Sequence, residues 1–333
     1  MTKLTAKIRI KITFIILLLV VISATKVKGQ QISNYKTYTG WGISKHSGNE
    51  CILLRKFSRD NHTCYVVVSA QSFNTEIVSE DSLHIFPATW ETVRARYPAT
   101  PYMRALQEAE IYSDAIQDAG FRRYKSSQKG IDLTIDLCPS RRPLDRIVFT
   151  DLIKEFSRFE KPVPLGISIT GKWINTHPAD LKWLNSLVKS GDLSIVWINH
   201  TYNHFSRKNV PIKKNFILTP GVDISAEVLN TEIALLRRNI LPSVFFRFPG
   251  LVSDRNIYYR ILEFGLIPIG SDAWLAKGQW PKNGSIVLIH ANGNEPVGIK
   301  DFIKLLKYKH ADVLSKRWEL FDLRESLVAD ETK

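Results

Sequence analysis

From about residue 127 onward, short apolar runs alternate with stretches whose apolar residues recur every three to four positions. Ile131–Leu137, with apolar residues at every second place, reads as a strand. Phe149–Phe159 reads as a helix, Pro164–Ile174 as a strand, and Pro178–Lys189 as a helix stopped by Gly191. The same alternation predicts strands at Leu193–Ile198, Ser243–Phe248, Leu266–Ile269, Ser285–Ile289 and Trp318–Leu323. Helices are predicted between them at Ser225–Ile240, Asn256–Phe264 and Ile299–Tyr308. Strands that alternate with helices pair in parallel, so the fold class is α/β, a sheet or barrel, and seven strands with helices between them suggest an incomplete (β/α) barrel.

Residues 30–125 lack this rhythm. Cys64-Tyr-Val-Val-Val-Ser-Ala has the β-branched content of a strand, and residues 102–120 read as a helix ending near Gly120. This part is expected to be an accessory region ahead of a barrel spanning 126–328. The N-terminus is different again. An apolar run from Phe14 to Ile22 follows a basic stretch, and small residues precede Gln30. Residues 1–29 therefore have the layout of a signal peptide, too short in its apolar part to span a bilayer comfortably, with an uncleaved N-terminal membrane anchor as the alternative. The expected location is outside the cytoplasm, periplasmic or secreted.

Composition changes this picture little. The chain has 333 residues, 44% of them hydrophobic and 23% charged, enough to bury a core without a disulfide framework or a structural metal. Net charge is +14, but Lys3, Lys7, Arg9, Lys11, Lys26 and Lys28 fall in the leader, and removing those six leaves +8. No Lys/Arg run carries interleaved aromatics and no zinc-finger spacing occurs, so nucleic acid is not an expected partner. The remaining charge reads as a basic solvated surface suited to an anionic envelope. Cys51 and Cys64 could pair in an oxidising compartment or stay as two free thiols.

Active sites of such barrels lie at the C-terminal ends of the strands. Residues of catalytic type gather there: Asp136 in Thr134-Ile-Asp-Leu-Cys-Pro139, His200 and His204 in Asn199-His-Thr-Tyr-Asn-His204, Arg247 in Phe246-Arg-Phe-Pro249, Asp272 two before Trp274, and His290 after Leu288-Ile289. Two histidines four apart share one face of a helical turn and could bind one divalent cation. Each residue also has an ordinary reading: Asp136 a turn residue, Arg247 a structural ion pair with Asp136 or Asp272, His290 a buried hydrogen-bonded ring.

In order and spacing these pieces resemble the polysaccharide deacetylases, the NodB-homology group or carbohydrate esterase family four. The resemblance spans residues 127–325, through Thr134–Cys138, His200–His204, Arg247–Pro249, Asp272 with Trp274, and Leu288–His290. It implies a distorted (β/α) barrel and a hydrolase of carbon–nitrogen bonds other than peptide bonds, removing N-acetyl groups from an acetylated envelope or extracellular polysaccharide. It also implies a divalent metal, usually zinc, on His200, His204 and an aspartate. Asp136 would be the base, His290 the acid, and Arg247 and Asp272 the groups that orient them. One departure is serious: Leu137 stands where the family has its ligating aspartate. Asp136 could bind the metal itself, Cys138 could supply a thiolate, or the metal could be lost. Asp132 sits ~13 Å further down the strand, too far to help. The other function class is a non-catalytic carbohydrate-binding or envelope-assembly protein on the same barrel, with Trp173, Trp197, Trp274 and Trp280 as candidate sugar platforms.

Overall fold

The computed structural model describes residues 31–125 and 128–330, so the leader-like residues 1–29 lie outside it. The accessory region is a five-stranded antiparallel sheet: β1 (Ile32–Ser44), β2 (Glu50–Arg59), β3 (His62–Val68), β4 (Thr75–Ser79) and β5 (Leu83–Pro87), in the order β4-β3-β2-β1-β5. Two helices follow, α1 (Trp90–Arg96) and α2 (Pro101–Ala109). The predicted helix over 102–120 is therefore shorter than expected. After Ala109 the chain makes one tight turn, bends through 113–120 and meets the barrel at isolated bridges on Phe121 and Arg123.

Next come β6 (Gly130–Leu137), α3 (Ile147–Phe156), β7 (Val163–Ile169), α4 (Gly171–Thr176), α5 (Pro178–Lys189), β8 (Leu193–Asn199) and α6 (Ile224–Leu236). The chain continues with β9 (Phe245–Phe246), α7 (Arg255–Glu263), β10 (Ile267–Pro268), β11 (Ala273–Trp274), β12 (Ser285–His290), α8 (Pro296–Leu314), β13 (Glu319–Leu320) and α9 (Leu323–Asp330). The sheet runs β10-β9-β8-β7-β6-β12-β11, every pair parallel, with β13 beside the start of β6. This is the expected α/β architecture, a distorted and incomplete (β/α) barrel. Two predicted strands are trimmed: the one over 164–174 stops at Ile169 and turns into α4, and the one over 243–248 pairs only at Phe245 and Phe246.

The alternation in β6 explains how the barrel is filled. Ile131, Leu133, Ile135 and Leu137 all join the apolar layer under the helices. Asp132, Thr134 and Asp136 take the opposite face, as a period of two demands, and are buried inside the barrel. A second apolar cluster joins the accessory sheet to the barrel: Ile52, Leu54, Phe73, Tyr102 and Leu106 pack with Phe245, Tyr258 and Ile267. The accessory region thus covers β9 and β10. A buried bidentate ion pair pins the join, Arg55 Nε and Nη2 to the two carboxylate oxygens of Glu232 at 2.7 and 2.8 Å, with the Tyr35 hydroxyl donating to the same carboxylate at 2.8 Å.

The gap between β10 and β12 is filled by residues 121–124. Phe121 bridges to Ile269 and Arg123 to Ser285, and the Ile286 amide donates to the Arg122 carbonyl at 3.0 Å. The accessory region is therefore part of the barrel wall. Its cysteines do not pair. Cys64 lies opposite Phe57 of β2, six residues along that strand from Cys51, ~20 Å away, and both thiols are free. No helix among the described residues is long and apolar enough to cross a membrane.

Candidate metal and acid–base site

The predicted residues converge at the C-terminal ends of the strands, around a cavity of about 660 Å³ lined by Asp136, Cys138, His200, His204, Trp274 and His290 among others. Asp136 is the penultimate residue of β6 and lies opposite His290, the last residue of β12. Leu137 points away from the site into the apolar layer and is fully buried there. One residue further, Cys138 is back on the side of Asp136. Its carbonyl accepts from the buried Asn292 side chain at 2.7 Å, which fixes the backbone at this point.

The Cys138 Sγ lies 3.6 Å from His200 Nε2 and 3.4 Å from His204 Nε2, and the three donor atoms all fall within 4.8 Å of one another. A tetrahedral zinc with ordinary Zn–S and Zn–N bonds would set sulfur and nitrogen ~3.6 Å apart, so the donor set fits a thiophilic divalent ion. The His200 Nδ1 sits 2.8 Å from the Arg247 carbonyl, which assigns the proton to Nδ1 and leaves the Nε2 lone pair facing the cluster. Cys138, His200 and His204 form a group that could hold an ion, and Asp136, expected from the resemblance as a ligand, stands beside it with Oδ2 3.6 Å from His200 Nε2.

The two histidines do not ride on a helical turn. The loop after β8 brings them together with two residues in the left-handed region, Thr201 at φ 65° and His204 at φ 49°. For residues with a Cβ this costs of order 1 kcal/mol each and persists only where the surroundings hold it. They do hold it. The Thr201 amide donates to Asn199, the His204 amide to the Thr201 hydroxyl, and Glu227 of α6 grips the Asn203 amide and side chain. Gly171, opposite, admits the Tyr202 ring where a Cβ would collide with it.

Arg247 is wholly buried and spends its guanidinium inside the barrel: Nη1 on Thr134 Oγ1 at 2.7 Å and Asp136 Oδ1 at 2.8 Å, Nη2 on the Gly270 carbonyl at 2.8 Å. Of the two partners open from sequence, it takes Asp136. Asp272 is turned elsewhere. Its Oδ2 lies 2.6 Å from Arg123 Nε and 2.5 Å from Nη2, so the expected contact of Asp272 with the catalytic groups is not made. Sequence reasoning missed Glu295, whose Oε2 is 2.8 Å from His290 Nδ1 and accepts the Trp274 indole N–H at 2.7 Å. Nothing local marks it, since an acid just before Pro296 reads as a helix start. Of the candidate sugar platforms, Trp173 and Trp197 are core residues, Trp274 walls the cavity and Trp280 is exposed.

Charges in the cluster hold one another. Burial alone would raise the Asp136 carboxyl, but Arg247, with His200 and His290, outweighs it and holds it down at about 2. Burial likewise opposes ionisation of Cys138, yet His204 and His290 bring its thiol well below the usual range. Desolvation pushes His290 down, and the Cys138 thiolate, Glu295 and Asp136 together drive it well above its ordinary value. His204 is raised too, by Cys138 against burial. The site is therefore a desolvated cluster of groups that shift one another's ionisation: a carboxyl, a thiol and imidazoles lining one cavity.

No family model matches the sequence. The fold is similar to that of a family 4 carbohydrate esterase from Bacillus anthracis, at 20% identity over 69% of this chain and 92% of that one, TM-score 0.46. It is similar to a peptidoglycan deacetylase from Bacillus subtilis at 14% identity over 62% and 93%, TM-score 0.44. It is also similar to a family 4 pseudoenzyme from Bacillus anthracis at 16% identity over 62% and 68%, TM-score 0.42. At that distance the likeness is one of outline, and what this chain does has to be argued from its own side chains.

Proposed function

We propose that the protein is a metal-dependent hydrolase that removes N-acetyl groups from an acetylated polysaccharide outside the cytoplasm. The observation that carries the reading is the Cys138/His200/His204 triangle beside an arginine-held Asp136 and a carboxylate-paired His290. Cys138, His200 and His204 would hold the ion, zinc by its donor set, and zinc so bound supplies a Lewis acid for an amide carbonyl and acidifies a water.

The chain's own residues do the rest. Arg247 keeps Asp136 ionised and fixes its Oδ1, leaving Oδ2 toward the cavity to accept a hydrogen bond from the attacking water and then its proton. With its carboxyl held at about 2, Asp136 is a weak base, so its main contribution is to aim the water. His290, whose proton the surrounding anions retain, gives a proton to the departing sugar amine. Asn203, Phe205 and Trp274 offer a polar and aromatic wall to a sugar ring. The leader-like residues 1–29 support export, with an N-terminal tether as the other form of the same reading.

The test is acetate release from acetylated glucosamine oligomers and from peptidoglycan by the zinc-loaded protein. Asp136→Asn and His290→Asn should each lower the rate by about 10²-fold or more while zinc content holds. Undiminished release from His200→Ala/His204→Ala, or none from the loaded wild type on any acetylated glycan, refutes the proposal.

A further inference from the structure

A histidine that donates a proton needs its far nitrogen held, and that holder is usually a carboxylate. In this chain the acid beside Trp274 is occupied. Arg123, on the segment that closes the barrel between β10 and β12, takes Asp272 Oδ2 with two nitrogens. The carboxylate that does reach His290 belongs to Glu295, at 2.8 Å from Nδ1.

Three observations set Glu295 apart from a surface acid that happens to lie near. It occupies the residue before α8, where an acid commonly caps the helix, yet its side chain accepts no bond from that helix. Its Oε2 is instead turned back toward β12, where the Trp274 indole N–H fixes it at 2.7 Å. Trp274 in turn lies against the His290 ring, centroids 5.8 Å apart, and Lys277 Nζ stands 3.5 Å from the centroid of the indole. His290 Nδ1 makes no aligned hydrogen bond as it stands, so the 2.8 Å contact is an ion pair with the N–H off axis.

We infer that Glu295 is the positioning residue for His290, clamped by Trp274. On this inference it holds Nδ1 so that Nε2 faces the cavity, and stabilises the ring's positive charge before the proton is given up. Asp272 is left as a strut between Arg123 and the barrel. The role rests on the deacetylase reading for its chemistry, but the contact itself does not.

The test compares wild type with Glu295→Gln, Glu295→Asp and Trp274→Phe in the zinc-loaded protein, by kcat and KM for acetate release, zinc content and the ¹⁵N signals of His290. Glu295→Gln keeps the side chain's shape and should keep zinc content and KM within about twofold. Its kcat should fall at least tenfold, on the order of 10²-fold, the scale of losing a histidine's orienting partner. Glu295→Asp should recover part of that loss, and Trp274→Phe should show a smaller fall in kcat. A fall in kcat of less than tenfold for Glu295→Gln overturns the inference. So does a fall matched by lost zinc or a parallel rise in KM, which would make Glu295 a structural brace. If wild type releases no acetate from any glycan, the deacetylase reading fails and the ¹⁵N spectra decide alone. His290 signals displaced in Glu295→Gln sustain the positioning contact, and unchanged signals overturn it.

Discussion

Replacing Cys138 by serine asks the sharpest question of the site. The thiol sulfur is 3.4 and 3.6 Å from the two imidazole nitrogens, close to the sulfur–nitrogen separation around a tetrahedral zinc. Serine keeps the size and the buried place but puts a neutral hydroxyl where a thiolate stood. Substitutions that merely support a ligand cost about 10–100-fold in metal affinity, so loss of the ligand itself should cost roughly 100-fold or more, ~2.7 kcal/mol. Two assays read this. Zinc at about 100 times its Kd should stabilise the wild type by ~2.7 kcal/mol and raise its Tm by several degrees, while Cys138→Ser should shift little at the same concentration. Cobalt in place of zinc should give the near-ultraviolet absorption of a thiolate–metal bond in the wild type and lose it in Cys138→Ser. Cys138→Asp should keep affinity, through a carboxylate, and lose the band. A serine variant that binds zinc within about threefold of wild type would refute the reasoning and return Asp136 to the ligand set.

Two further outcomes test the scaffold. Arg55→Met leaves the Glu232 carboxylate buried without its cation at the join of accessory region and barrel, and should cost ~3–5 kcal/mol by denaturant titration; a loss under about 1 kcal/mol would show that the region only decorates the barrel. Burial pushes the Glu160 carboxyl up to about 7, so folding favours its protonated form. Its contribution is therefore full below pH ~4.5 and is lost as pH rises through 7, and Glu160→Gln should raise Tm by roughly 2 °C at pH 8 and leave it unchanged at pH 4.5.

Much of the barrel was legible because its signals are local. The period-two pattern of β6, the Pro178 start and Gly191 stop of α5, and the strand ends that carry Asp136, His200 and His290 all depend on residues within one element. The same period puts Asp136 and Cys138 on one face and Leu137 on the other, but sequence left three repairs of the missing aspartate open: Asp136 as the ligand, Cys138 as a thiolate, or loss of the metal. Short strands were less readable. β9 spans only two residues, although Ser243 and Arg247 on either side of it still donate to carbonyls of β8.

Sequence by itself determined the fold class and which residue types stand at the open end of the barrel. Alternation, caps and strand termini are settled by near neighbours along the chain. Only the tertiary structure decided who meets whom: Arg247 with Asp136, Asp272 with Arg123, Glu295 with His290, and Cys138 with both histidines. Those partners are separated by 62 to 149 residues or, like Glu295 and His290, lie on loops whose paths no local preference sets, and their pairing follows from how the accessory segment and the strand-end loops pack against the same wall.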